Sequence, residues 1–156
     1  MKEPRVESIR NIALISSTEA GKTSLVDALL YATGVIPSMG STVNGSTICD
    51  FEPEQIHRKV SISSAVAHFT WKDTTFNVID TPGAASFAGE AKAALRAVDG
   101  VLLMIGASAG LRSGVESLLA LADDLHLPCA VFINELDKER TDFNLMLEEC
   151  QKALGV

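Results

Sequence analysis

The stretch RNIALISSTEAGKTSLVDALLYATG, residues 10–34, changes period partway along. Arg10 to Ser16 is a short apolar run of strand length, whereas Lys22 to Thr33 carries apolar residues at 25, 26, 29, 30 and 32, the spacing of one helical face, closed by Gly34. The predicted order is strand, tight turn, helix. The turn itself, SSTEAGKT, puts Gly21, Lys22 and Thr23 at the opening of the helix. A phosphate-binding loop needs those residue types: a glycine where backbone N–H groups close on an oxygen, a lysine to reach the outer phosphates, and a hydroxyl for Mg²⁺. The strict pattern begins with glycine, and Ser16 stands there instead. The expected phosphate-binding set is Ser16, Ser17, Thr18, Glu19, Ala20, Gly21, Lys22, Thr23 and Ser24.

Outward from this turn the chain alternates. Val35 to Lys59 is polar, rich in Gly and Ser, and too long for a passive connection, which predicts a mobile functional loop. Ser61 to Trp71 and Thr74 to Asp80 are rich in Val, Ile, Thr and aromatics and flank Lys72-Asp73, which predicts an antiparallel hairpin. Phe87, Ala91, Ala94, Leu95 and Val98 share a helical face, Gly100 to Ala107 is a buried strand, and residues 115, 118, 119, 122 and 125 mark another helix. Pro128 opens a strand ending at Asn134, and Phe143, Met146, Leu147, Cys150 and Leu154 mark a last helix closed by Gly155. Such alternation implies a mostly parallel sheet covered on both faces, with ligands at the carboxyl ends of its strands.

Two loops after strands carry further chemistry. Asp80, Thr81, Pro82 and Gly83 follow the second hairpin strand. There Asp80 would hold magnesium and the Gly83 amide would face a terminal phosphate. Asn134, Glu135, Leu136 and Asp137 follow the strand AVFI, and a carboxylate at that place can accept from both N1–H and the 2-amino group of guanine, a donor pair adenine lacks.

Composition sets the frame. With 156 residues, 47% of them hydrophobic, the chain can build one ordinary domain with a real core, spanning residues 1–156. A net charge of −7 argues against sequence-specific grip on nucleic acid through its own surface. Three cysteines, 49, 129 and 150, without C-x-x-C spacing fit reduced thiols and a cytoplasmic protein, and no apolar run has the length of a membrane span.

Taken in order, SSTEAGKT, HRKVSIS, DTPG and NELD resemble the N-terminal GTP-binding domain of translation elongation factor G, and IHRKVSIS with WKDTTFNVIDTPG is most similar to its divergent elongation factor G-like paralogues. The resemblance runs from about Asn11 to Val156. It implies an α/β, three-layer P-loop NTPase fold, mostly parallel with one antiparallel hairpin over residues 61–80, helices on both faces, and the domain's last strand and helix missing. The chain would then be a fragment of a longer factor, the favoured reading, or a reduced relative, with the strand before Asn134 left at an open sheet edge. It also implies GTP or GDP and Mg²⁺ as ligands and the ribosome as partner. Lys22, Ser61 and Gly83 would serve catalysis; Thr23, Ser61 and Asp80 would take the metal, Ser61 standing where the family has threonine; Asn134 and Asp137 would read guanine.

Two further departures from the family bear on the chemistry. Ala84 replaces a histidine that orients the attacking water, a group worth about 10²–10⁴ in rate, or about 3–5 kcal/mol of barrier. Of the other histidines only His57 lies near the site in sequence; His68 belongs to the hairpin and His126 to a helix end. Glu135 replaces a lysine that ties this loop to the phosphate loop, which predicts an acid near an anionic ligand and weakened affinity. Two readings remain open: a switching GTPase slowed by Ala84, and a non-hydrolysing nucleotide-binding or interaction module. The guanine-reading loop disfavours a P-loop kinase or ATPase.

Overall fold

Ile12 to Ile15 offer no polar side chain to water on either side, so the strand they form has to be covered on both faces. In the computed structural model, which describes residues 5–111, 114–139 and 141–155, this strand is β1, Ile9–Ile15. Its companions are β2 (Ala65–Trp71), β3 (Thr74–Asp80), β4 (Gly100–Gly106) and β5 (Cys129–Asn134), in the order β2-β3-β1-β4-β5. Only β2 runs antiparallel, paired with β3 from Ala65 opposite Asp80 to Trp71 opposite Thr74. The helices are α1 (Lys22–Ala32), α2 (Pro53–Arg58), α3 (Ala88–Ala94), α4 (Val115–Asp124) and α5 (Phe143–Leu154).

The strand period of two splits β1 between two cores. Leu14 joins Val26 and Leu30 of α1 together with Phe69, Val78 and Met104. Ala13 and Ile15 join Ala91 of α3, Val115 and Leu118 of α4, Cys150 of α5, and Leu103 and Ile105. The result is the expected three layers. The Lys72-Asp73 turn is left-handed at both residues (φ 46° and 61°), as a two-residue hairpin turn requires.

Three expectations need correction. The hairpin begins at Ala65, not Ser61: residues 61–64 pair with no strand, because the amides of Ile62 and Ser63 bond the Gln55 side chain and that of Ser64 bonds Glu90. Residues 35–59 are not a bare loop, since they contain α2 and are tied to α1 by Asp27, whose carboxylate accepts from Gly40 N at 2.6 Å and Ile48 N at 3.0 Å. The helix after Asp80 is broken into α3 flanked by single 3₁₀ turns, Ala85–Phe87 and Leu95–Ala97. At the other flank β5 is an edge strand with Phe132 and Cys129 exposed; Cys49 and Cys150 are buried, and all three thiols are free. Among the described residues no helix is long and apolar enough to cross a membrane.

Parallel pairing is what positions the site. Leu14 lies beside Asp80 and Gly106 beside Asn134, so the carboxyl ends of β1, β3, β4 and β5 come out on one edge of the sheet.

Candidate nucleotide-binding site

At that edge the chain turns from β1 into α1 through residues 16–21. Gly21, the residue before the helix, is left-handed at φ 88°, and a Cβ there would lie 2.5 Å from Asn134 Nδ2, so both conformation and space demand glycine. Lys22 is only 7% exposed, and its Nζ donates to Ser16 Oγ at 2.6 Å and to the Ser17 carbonyl at 3.4 Å. Burial pulls the Lys22 pKa below the ordinary lysine value, with the Asp80 carboxylate opposing.

Thr23 Oγ1 donates to Asp80 Oδ2 at 2.6 Å. Asp80 is 3% exposed, and its other oxygen, Oδ1, has no hydrogen-bond partner among the described residues. Burial raises the Asp80 pKa; the Thr23 hydroxyl and the Lys22 ammonium oppose the shift, and the Asp50 carboxylate reinforces it. A buried, orphaned carboxylate oxygen beside a hydroxyl is a hard oxygen donor set, and it fits Mg²⁺. Thr81, fully buried, fixes the chain after Asp80 by donating to the Leu14 carbonyl at 2.6 Å. Gly83 then presses on the phosphate loop: a Cβ there would lie 2.7 Å from the Ser17 carbonyl oxygen and 2.9 Å from Lys22 Nζ.

Ala84 precedes the first 3₁₀ turn, its carbonyl accepting from Phe87 N at 2.9 Å. It borders a cavity of about 190 Å³ walled by Ser16, Ser17, Gly83, Val115 and Leu118, with Pro82, Ala85, Ala88, Gly114 and Ser117 also lining it; among the described residues none of these carries a titratable side chain. His57 is exposed on α2 and His68 exposed on β2. Neither lines that space.

The loop after β5 is anchored by Asn134, whose Nδ2 donates to the Ala20 carbonyl at 3.0 Å. Glu135 departs from expectation. Its left-handed backbone (φ 63°) carries a carboxylate that is 2.7 Å from Lys138 Nζ and accepts from Ser108 Oγ at 3.2 Å, so its charge is met by an ammonium three residues on. Asp137 is exposed in the following turn.

The structure therefore gathers Ser16, Ser17, Ala20, Gly21, Lys22, Thr23, Asp80, Thr81, Pro82, Gly83 and Asn134. Thr18 is half-buried in the loop, Glu19 (φ 65°) is exposed there, and Ser24 is exposed in the first turn of α1. Ser61 sits half-buried just before β2. Sequence reasoning missed Asp27, Asp50 and Gln55. The available signal was an acid one helical turn beyond Thr23 and polar side chains within a segment read as solvated loop.

These features define a phosphate-loop nucleotide-binding domain with a metal-type carboxylate at the end of β3 and an asparagine-anchored loop after β5. The model of the elongation factor Tu GTP binding domain family matches residues 7–155, and the chain belongs to that family. Within it the chain is similar to a mitochondrial ribosome-releasing factor 2 of Culex quinquefasciatus (37% identity over 96% of this chain and 20% of the relative). An elongation factor G-like protein of Mycobacterium tuberculosis is 37% identical over 94% of the chain and 21% of the relative. Elongation factor G of Granulibacter bethesdensis is 35% identical over 100% and 22%. A crystal structure from Thermus thermophilus superposes with a TM-score of 0.90 at 34% identity, covering 95% of this chain and 22% of that one. The elongation factor G resemblance and the three-layer fold are borne out; the chain spans about a fifth of the length of the curated relatives it matches.

Proposed function

We propose that the chain is the nucleotide-binding unit of a longer, elongation factor G-like translation protein, and that it binds GTP and GDP with Mg²⁺ and changes conformation between them. The observation that carries this is the convergence of Lys22, Thr23, Gly83 and an orphaned Asp80 oxygen at one strand edge. Phosphate oxygens would replace Ser16 and Ser17 as partners of the Lys22 ammonium, and the loop amides up to Thr23 would complete the cradle. Thr23 and Asp80 would hold Mg²⁺, joined by Ser61 when GTP is bound; the metal supplies charge neutralisation between the outer phosphates. Asn134 steadies the base loop, and Asp137 would accept from guanine. Glu135, paired with Lys138, is not an uncompensated acid facing the nucleotide. A GTP-dependent change in residues 35–61 and in the segment after Asp80 would be read by the ribosome.

Hydrolysis is expected to be slow, because Ala84 offers no group to orient a water and, among the described residues, the cavity beside it is lined by no titratable side chain. The same observation favours a second reading, a nucleotide-holding module in which the bound state is itself the signal. The full-length protein, titrated with fluorescent GTP, GDP and ATP with and without Mg²⁺ and then assayed for phosphate release with ribosomes, tests both. Guanine nucleotides should bind at least about tenfold tighter than ATP, and Ala84→His should raise phosphate release by up to about 10²–10⁴. Tight binding with no release from either protein would leave the second reading standing; preference for ATP would overturn both.

A further inference from the structure

Ser61 lies on a four-residue stretch, 61–64, that no strand protects, so the amides around it need acceptors from elsewhere. One residue supplies most of them. The Gln55 backbone carbonyl accepts from Val60 N at 3.3 Å, and its side-chain Oε1 accepts from Ile62 N at 2.8 Å and Ser63 N at 3.3 Å. Gln55 thus brackets Ser61 on both sides. Glu52 reinforces the arrangement by accepting from Ser63 Oγ at 2.8 Å, and Glu90 of α3 by accepting from Ser64 N at 3.1 Å.

Gln55 is 1% exposed, yet its Nε2 has no hydrogen-bond partner among the described residues. The bonds that this side chain makes all run through its acceptor end, Oε1. We infer that Gln55 is a positioning residue: through its carbonyl oxygens it fixes the stretch from which Ser61 would join the metal when GTP is bound, and so sets the Mg²⁺-dependent part of GTP binding without touching the nucleotide. The inference rests on the nucleotide-binding reading above and adds to it a residue outside the motifs that carry that reading.

Fluorescent GTP and GDP titrations of the full-length protein, each in Mg²⁺ and in EDTA, test it. In Gln55→Leu the extra GTP affinity conferred by Mg²⁺ should fall by about 10–100-fold, the usual effect of removing a group that orients a metal ligand. GDP affinity, and GTP affinity in EDTA, should stay within about twofold over the same titrations. Gln55→Glu keeps an acceptor and should retain most of the increment. An unchanged increment in Gln55→Leu, or equal losses for GTP and GDP, overturns the inference; absence of guanine-nucleotide binding in the unmodified protein would instead remove the reading beneath it. Hydrogen exchange of the unmodified protein gives a check independent of the folding of any variant. The Ile62 and Ser63 amides should be protected, and exchange at the rate of free amides overturns the inference.

Discussion

Lys22 and Asp80 are buried together, and burial pushes each toward its neutral form, lowering one pKa and raising the other while each partly opposes the shift of its partner. Cys49 feels the same surroundings. Burial, followed by the carboxylates of Asp80, Asp27 and Asp50, drives its thiol from 9.0 up to about 12. Between those values the folded chain holds a proton that the unfolded chain has released, so this contribution to stability is intact below pH 9.0 and is lost as pH rises toward 12. By pH 11 the loss from this group should reach about 2–3 kcal/mol. Urea unfolding at pH 8 and pH 11 should show a larger drop for the unmodified protein than for Cys49→Ala. An equal drop in both would remove the thiol from the account.

Helices α1 and α2 each fix the segment that follows them through a buried polar side chain. Asp27, 1% exposed on α1, holds Gly40 N and Ile48 N, while Gln55 of α2 holds Ile62 N and Ser63 N. Asp27→Ala leaves two amides without their charged acceptor and should destabilise the fold by about 3 kcal/mol, with fast hydrogen exchange and thermolysin cleavage concentrated in residues 37–51. Cleavage spread evenly over the chain would deny Asp27 this local role. The same feature explains what the sequence hides. Strands β1, β3 and β4 and helix α1 are legible because hydrophobic period reports burial directly, and Lys22, Thr23, Asp80 and Gly83 are legible because each sits at a fixed offset from a strand end. Residues 35–59 are polar and therefore read as a mobile loop, and 61–64 read as strand, although buried side-chain acceptors order both. Glu135 is legible as a reversed charge. Its partner Lys138, only three residues on, depends on a left-handed backbone that no pattern of side chains announces.

On the scale of the whole molecule, four parallel strands deliver their carboxyl ends to one edge, so a ligand there would be tied to the sheet, to α1 through Lys22 and Thr23, and to β5 through Asn134. Binding should therefore register as global stability. At a hundredfold excess over the dissociation constant a nucleotide adds about 2.7 kcal/mol, and for a chain of this length that corresponds to about 5–10 °C in Tm. Asp80 separates the stability of the fold from the stability conferred by the ligand. Its pKa is raised, which means that its charge at neutral pH works against the ligand-free fold, and its Oδ1 is left without a partner. Asp80→Asn keeps an oxygen for the Thr23 hydroxyl and removes that charge, so the ligand-free Tm should hold or rise. The part of the nucleotide shift that EDTA abolishes in the unmodified protein should disappear. Differential scanning of both proteins, with and without GDP and Mg²⁺, reads the two effects together, and a ligand-free Tm lowered by several degrees in Asp80→Asn would show that the carboxylate supports the fold rather than waiting for a cation.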